Sequence, residues 1–319
     1  MDAPVTLVKS ALASVVHIQT AVPHDHPSAG LLGEERMGSG CVVDRDGLIL
    51  TVNYVVMGGS EILVSLQDDR EVPAELVAQD FETGLALLRV RGVRLPPFPF
   101  GTFANLTRGQ PVFVLAASGA EERRVSGGCI TYLGEFDAYW EYWLETGIMA
   151  SAFNLGFGGG ALLDLQGQLL GVVSLSLNEL CHHSFTIPVD YYTRHRKELL
   201  RYGRVTSRPR RGWIGFFPHP GEDGIVVAGV IPGGPGERAG LQEGDLILAV
   251  NQREVLSRKE LYHALWEHQP GERVRFELVR GDEATCVEVV CGDRSEFYAQ
   301  RKGDRPESRG GEREPGTNE

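Results

Sequence analysis

The sequence predicts an all-β first domain, a barrel or sandwich, followed by a second, smaller β-rich unit. Three observations point there. From Gly38 onward, short β-type runs are separated by Gly, Asp and Pro turns. No strand–helix–strand alternation supports a parallel sheet. The length of 319 residues exceeds one typical domain, and 42% hydrophobic content is enough for two cores.

The elements follow in order. Val5, Leu7, Val8, Ala11 and Leu12 recur at helical spacing, so a short helix should feed a first strand over 14–19. The polar stretch 23–33 reads as a surface loop, with His24 and His26 solvated rather than binding metal. The run 38–43, a turn at 44–47 and the run 48–51 open the β pattern, and further runs cover 61–66, 71–77, 85–90, 111–116 and 128–133. The cluster Tyr139-Trp140-Glu141-Tyr142-Trp143 reads as an aromatic hairpin packed on the barrel or on a neighbouring subunit, with a ligand cage as the other reading. Pro188 is expected to open a helix reaching about Tyr202.

Residues 207–211, basic and containing Pro209, read as a linker. Strand-like runs then recur at 213–217, 224–230, 245–251, 273–280 and 285–290, and Ser257-Arg258-Lys259-Glu260 is a capping box opening a helix over 261–268. The charged remainder, 297–319, is almost without apolar residues and is expected to be disordered.

Composition narrows the function. A net charge of -12 argues against nucleic acid or an anionic membrane surface as partner, because phosphate binding needs clustered Lys and Arg. The five cysteines, Cys41, Cys129, Cys181, Cys286 and Cys291, are odd in number and lack metal-type spacing, so buried reduced thiols are expected rather than disulfides or zinc. The N-terminus lacks a basic region followed by an apolar core, and no run has the length of a membrane helix. A soluble, cytoplasmic protein is the expectation unless a leader was removed.

The most telling stretch is Asn154-Leu155-Gly156-Phe157-Gly158-Gly159-Gly160, followed by two apolar runs around a Gln166-Gly167 turn. With Gly38-Ser39-Gly40, the segment Leu50-Thr51-Val52-Asn53-Tyr54-Val55-Val56 and the segment 80–90, it resembles the trypsin-like domain of the HtrA (DegP-type) serine proteases. The stretch from Val230-Ile231-Pro232-Gly233-Gly234 to Asp245-Leu246-Ile247 resembles the PDZ domain of the same family. The resemblance covers roughly residues 3–292. It implies a trypsin-like double β-barrel over 1–206, a linker over 207–211, a PDZ domain over 212–296 and a tail over 297–319.

Carried over residue by residue, the resemblance puts Tyr54 in the slot of the general-base histidine, Gly84 in that of the aspartate and Gly158 in that of the nucleophilic serine. The separations, 84 − 54 = 30 and 158 − 54 = 104 residues, suit the family. Gly156 and Phe157 belong to the former oxyanion turn, and Phe157 either projects into the cleft or anchors the loop outward. A tyrosine with an ordinary pKa of about 10 does not take up a proton near neutrality as imidazole does. Loss of a triad serine or histidine costs on the order of 10⁶ in turnover.

The expectation is therefore no enzyme: a catalytically inactive homologue of serine endopeptidases, a pseudoprotease acting as a peptide-binding scaffold or regulatory subunit in protein quality control. The alternative is an active endopeptidase with a non-standard nucleophile. Ser118, Ser126 and Ser151 show no spacing that pairs them with a base, and Cys181, His182 and His183 would hold metal only with a further ligand. No cofactor is expected. In the PDZ unit, Trp213, Ile214, Gly215 and Phe216 should form the loop that receives a peptide's terminal carboxylate, with the helix after Ser257 as the groove's other wall. Leu261 and Leu265 share one face of that helix, toward groove or core. The implied partners are C-terminal or extended peptide segments and an active paralogue, and the family resemblance implies a homotrimer.

Overall fold

The protein is represented by a computed structural model that describes residues 3–154, 156, 158–177 and 183–299. Helix α1 (Ala3–Ala11) leads into a six-stranded closed barrel of β1 (Val15–Ala21), β2 (Glu35–Val42), β3 (Leu48–Val52), β4 (Glu61–Ser65), β5 (Glu71–Asp80) and β6 (Leu85–Val90), in the order β1-β2-β3-β6-β5-β4. Short helices α2 (Ala29–Leu32) and α3 (Asn53–Val56) interrupt it. A second closed barrel has the order β10-β11-β12-β9-β8-β7, built from β7 (Pro111–Ala117), β8 (Arg123–Ala138), β9 (Tyr142–Ala150), β10 (Ala161–Asp164), β11 (Leu169–Leu177) and β12 (His183–Pro188). Helix α4 (Asp190–Tyr202) closes this domain.

The barrels form because alternating apolar residues line closed sheets that leave no edge to pair elsewhere. Leu48, Ile49, Leu50, Leu87, Leu88, Leu115 and Phe185 are fully buried in a core cluster to which both barrels contribute. The turn between β10 and β11 is held by Asp164, whose Oδ1 accepts the Gln166 and Gln168 N–H groups, both at 2.9 Å.

The second domain is a sheet of order β13-β14-β15-β17-β18, from β13 (Phe216–Pro220), β14 (Ile225–Val230), β15 (Leu246–Val250), β17 (Arg273–Arg280) and β18 (Glu283–Val290), with β16 (Arg253–Glu254) paired to β15. Helices α5 (Pro235–Ala239), α6 (Arg258–Trp266) and α7 (Arg294–Ala299) pack around it. The expected capping box is present: Ser257 accepts from the Glu260 N–H while the Glu260 carboxylate takes the Ser257 N–H.

Several expectations change. Pro188 ends β12 rather than opening the helix, because residue 188 still pairs with Gly171; the helix starts at Asp190, whose carboxylate accepts Thr102 Oγ1 and the Phe103 N–H. The run 128–133 is the middle of a longer strand, while the aromatic cluster is a hairpin as expected, with Tyr139, Trp140 and Glu141 at its tip and Tyr142 and Trp143 opening β9. His26 is buried, not solvated. Its imidazole fits beneath Gly58, where a Cβ would lie 2.3 Å from the ring, and it bonds Ser28 Oγ and the Tyr298 carbonyl. His24 is exposed beside Glu34. Cys41 and Cys291 are buried, but Cys286 is exposed, because the alternation of β18 sends Val287 and Val289 inward and residue 286 out beside Arg275.

Helix α7 crosses the expected start of the tail, with Tyr298 buried; residues from 300 onward lie outside the described residues. The linker is held by ion pairs rather than free: Arg208 bonds Asp80 and Glu82, Arg210 bonds Asp293 and Glu296, and the Arg211 guanidinium lies 4.2 Å over the Trp266 ring. A hydrophobic cluster of Met57, Trp213, Ile231 and Tyr298, with Phe81, Phe217 and Phe297 against it, joins the second domain to the first.

Candidate functional site

Between the barrels lies a cavity of 560 Å³ bordered by Asn53, Tyr54, Gly84, Tyr142, Gly158 and Ser174 among others. The three positions singled out in sequence thus meet around one space. β3 delivers Tyr54 on α3, the β5–β6 turn delivers Gly84, and the glycine turn before β10 delivers Gly158. The Tyr54 hydroxyl donates to the Ser174 carbonyl at 2.5 Å. A Cβ built on Gly158 would lie 1.8 Å from that same hydroxyl oxygen, so the phenol fills the volume a serine side chain would need. Burial pushes the Tyr54 phenol well above its ordinary range. It is neutral and acts as a donor, not as a base.

Gly84 has φ +77, a conformation L side chains rarely adopt, and a Cβ there would stand 3.4 Å from the Tyr142 ring. The Tyr142 hydroxyl donates to the Thr83 carbonyl at 2.7 Å, closing that side of the cavity. In the glycine turn, the Gly156 N–H is bonded to Asn154 Oδ1 at 3.2 Å. Gly159 must be glycine, with φ +101 and a Cβ that would meet the Ser39 carbonyl oxygen at 1.8 Å. Phe157 lies outside the described residues, as do Cys181 and His182.

The other serines considered have other partners. Ser118 Oγ donates to Glu122, Ser126 Oγ accepts the Phe153 N–H, and Ser151 bonds Cys129. His183 starts β12. Among the described residues, no group of three or more His, Cys, Asp and Glu is arranged to hold a metal, and no helix is long and apolar enough to cross a membrane.

The second site is the loop 213–216, and it is built from backbone. Gly215 has φ +79, which turns successive N–H groups to one side. The Ile214, Gly215 and Phe216 N–H groups all donate to the Glu141 carboxylate, at 3.1, 2.6 and 3.3 Å. Glu141 is itself buried, with φ +55, and burial pushes its carboxyl up to about 7 against the opposing pull of the three N–H groups and Arg294. The side chains of the loop face elsewhere. Ile214 and Phe216 are fully buried in the second domain's core, and the Trp213 ring packs on Phe297 and Tyr298 at 4.8 and 5.9 Å between centroids. Leu261 and Leu265 both face that core.

Sequence reasoning quoted Glu141, Tyr142 and Asn154 within their stretches without giving them a role at either site, and it missed Ser174. The signal for the first two was the aromatic cluster, which carries one acid among four rings; Ser174 contributes a carbonyl, which leaves no trace in residue type.

Residues 38–172 match the trypsin-like peptidase domain family, and residues 212–290 match the PDZ domain family. A probable periplasmic serine endoprotease, DegP-like, from Halomonas elongata is 33% identical over 287 residues, covering 84% of this chain and 59% of that protein. Its counterpart from Ectopseudomonas mendocina is 30% identical over 297 residues, covering 88% and 61%. This chain therefore spans about six-tenths of the length of the curated relatives it matches. Among solved structures, the serine endoprotease from Yersinia pestis is 28% identical with a TM-score of 0.55, covering 92% of this chain and 98% of that one. The HtrA-type protease AlgW with a decapeptide is 25% identical with a TM-score of 0.55, covering 91% and 98%.

These findings correct the expectation that the chain is no enzyme. The relatives from Halomonas elongata, Ectopseudomonas mendocina and Yersinia pestis are serine endoproteases by name. That expectation rested on three side-chain slots, and a missing side chain there removes one nucleophile without assigning the protein to a non-enzymatic class.

Proposed function

We propose that this chain, which belongs to the HtrA (DegP-type) family of trypsin-fold serine proteases and carries a PDZ domain, takes up extended polypeptide segments. Its PDZ loop receives a C-terminal carboxylate, and its inter-barrel cleft receives extended chain. Tyr54, Gly84 and Gly158 are the positions that correspond to the family's triad. The observation that carries the reading is the convergence of the Ile214, Gly215 and Phe216 N–H groups on one carboxylate. Ion–amide hydrogen bonds of this kind are the chemistry by which a PDZ loop holds a chain terminus.

The test is fluorescence polarisation with decapeptides of randomised sequence ending in a hydrophobic residue, each made as free acid and as C-terminal amide. Binding of the acids at least about tenfold tighter than of the amides is expected. Equal binding of the two forms removes the reading.

A second reading is peptide-bond hydrolysis by a nucleophile other than residue 158. The relatives' activity supports it, and so does one contact. Ser28 Oγ is 2.7 Å from His26 Nδ1, whose partner nitrogen donates to the Tyr298 carbonyl at 2.8 Å, and Ser28 borders the same cavity as Gly158. With that tautomer Nδ1 is an acceptor; it takes the Ser28 backbone N–H at 3.2 Å and lies within reach of the hydroxyl proton as Oγ attacks a carbonyl. Ser28 is fully buried, and its Oγ also accepts from Arg36 Nη2 at 2.6 Å, so attack requires the 23–33 loop to open. Labelling by a fluorophosphonate that disappears in Ser28→Ala supports this reading; labelling that persists in Ser28→Ala assigns the nucleophile elsewhere.

A further inference from the structure

The loop proposed to receive a peptide carboxylate already holds one, supplied by this chain's own first domain. Glu141 stands at the tip between β8 and β9 and places both carboxylate oxygens on the three N–H groups of 214–216. The tip touches both walls of the groove. Tyr139 packs edge-on against Phe217 of β13, with 6.1 Å between centroids. On the opposite wall, the Tyr262 hydroxyl donates to the Ala138 carbonyl, Arg258 pairs with Asp137, and Lys259 Nζ lies 2.5 Å from Glu135 Oε2. Arg294 of α7 donates to the Glu141 carbonyl at 3.3 Å, which fixes the tip from below.

This constellation has the chemistry of a bound peptide terminus. A carboxylate sits in a backbone nest, an aromatic side chain rests on the edge strand, and polar contacts run to the facing helix. Glu141 adopts φ +55, an unfavourable backbone for a non-glycine residue that persists only where its surroundings hold it. β13 is the sheet's edge strand, pairing only with β14 among the described residues, so the edge that a peptide strand would extend is the one the hairpin tip overlies.

We infer that the β8–β9 hairpin is an internal, displaceable ligand of the PDZ groove, so that Glu141 and a partner's C-terminal carboxylate exclude one another. The inference rests on the reading of 213–216 as a carboxylate-binding loop. The partner it selects is a free chain terminus able to outcompete a tethered carboxylate, not an internal loop. Displacement also moves the cavity wall, because Tyr139, Trp140 and Tyr142 of the same hairpin border the inter-barrel cavity.

The experiment uses the full chain and the decapeptide acids and amides described above. Glu141→Gly removes the internal carboxylate and suits φ +55, so the hairpin keeps its turn. Asp137→Ala loosens the tip without touching the loop, and amide hydrogen exchange at 214–216 reports whether the loop is open. Acid peptides are expected to bind Glu141→Gly at least about tenfold tighter than the unaltered chain and Asp137→Ala to an intermediate degree, with amides unchanged. Equal affinity of the acids for all three proteins overturns the inference and leaves the peptide reading standing. Absence of acid binding to Glu141→Gly with a deprotected loop overturns both.

Discussion

The cleft and the loop 213–216 each meet one of this chain's own side chains: the Tyr54 phenol lies against Gly158, and the Glu141 carboxylate lies on the N–H groups of 214–216. They differ in how much of the site lies in side chains. At the cleft the geometry is set by side chains: the Tyr54 hydroxyl occupies the volume that a side chain at residue 158 would need. The loop at 213–216 needs only a turn that Gly215 can make, so it stays intact whatever its neighbours become, and its N–H groups are aimed at a carboxylate. A site made of backbone tolerates substitutions that would remodel one made of side chains.

The comparison breaks most sharply if the loop loses its anchor. Trp213 is buried in the cluster that joins the domains, against Met57, Phe297 and Tyr298. Trp213→Ala should cost about 3–5 kcal/mol, the range for removing a buried tryptophan. It should also split one cooperative unfolding transition into two in calorimetry. A single unchanged transition would mean that the cluster does not clamp the domains.

The cleft side is sharpened by a double-mutant cycle. Gly158→Ser alone places its Cβ against the Tyr54 hydroxyl and should destabilise by about 1–3 kcal/mol, as overpacking does. In a Tyr54→Ala background the same substitution should cost less than about 0.5 kcal/mol, the coupling expected of residues that share one space. Equal costs in denaturant unfolding would show that the phenol is not what fills the serine volume.

Much of this was legible in the sequence. Apolar runs broken by Gly and Asp turns gave the barrels, and the capping box at Ser257 gave α6. The three slot residues, separated by up to 104 positions, meet at one cavity. What was not legible depended on packing between distant segments. His26 reads as a loop histidine until Gly58 leaves room above it and the Tyr298 carbonyl reaches it from 272 residues away. Pro188 reads as a helix start, but its pairing with Gly171 keeps it in the sheet. Glu141 reads as one acid in an aromatic run, since a carboxylate's partners are backbone groups that no residue type announces.

The smallest effect tests the carboxylate itself. The Glu141 carboxyl is pushed by burial from the ordinary 4.5 up to about 7, with Arg294, Tyr262, Cys291 and Tyr298 as the titratable neighbours that sense it or are sensed by it. Between those two values the folded chain holds a proton that the unfolded chain has released, so stability falls as pH rises through the window. The contribution is fully present below 4.5 and is lost as pH passes about 7. Glu141→Gln, neutral throughout, lacks this dependence. The stability of the unaltered chain relative to Glu141→Gln should therefore decline between pH 4.5 and 7, by no more than about 1.4 kcal/mol per pH unit, and level off above. A flat difference across that window would place the carboxyl in solvent rather than on the loop, and a rising one would mean that the three N–H bonds outweigh burial.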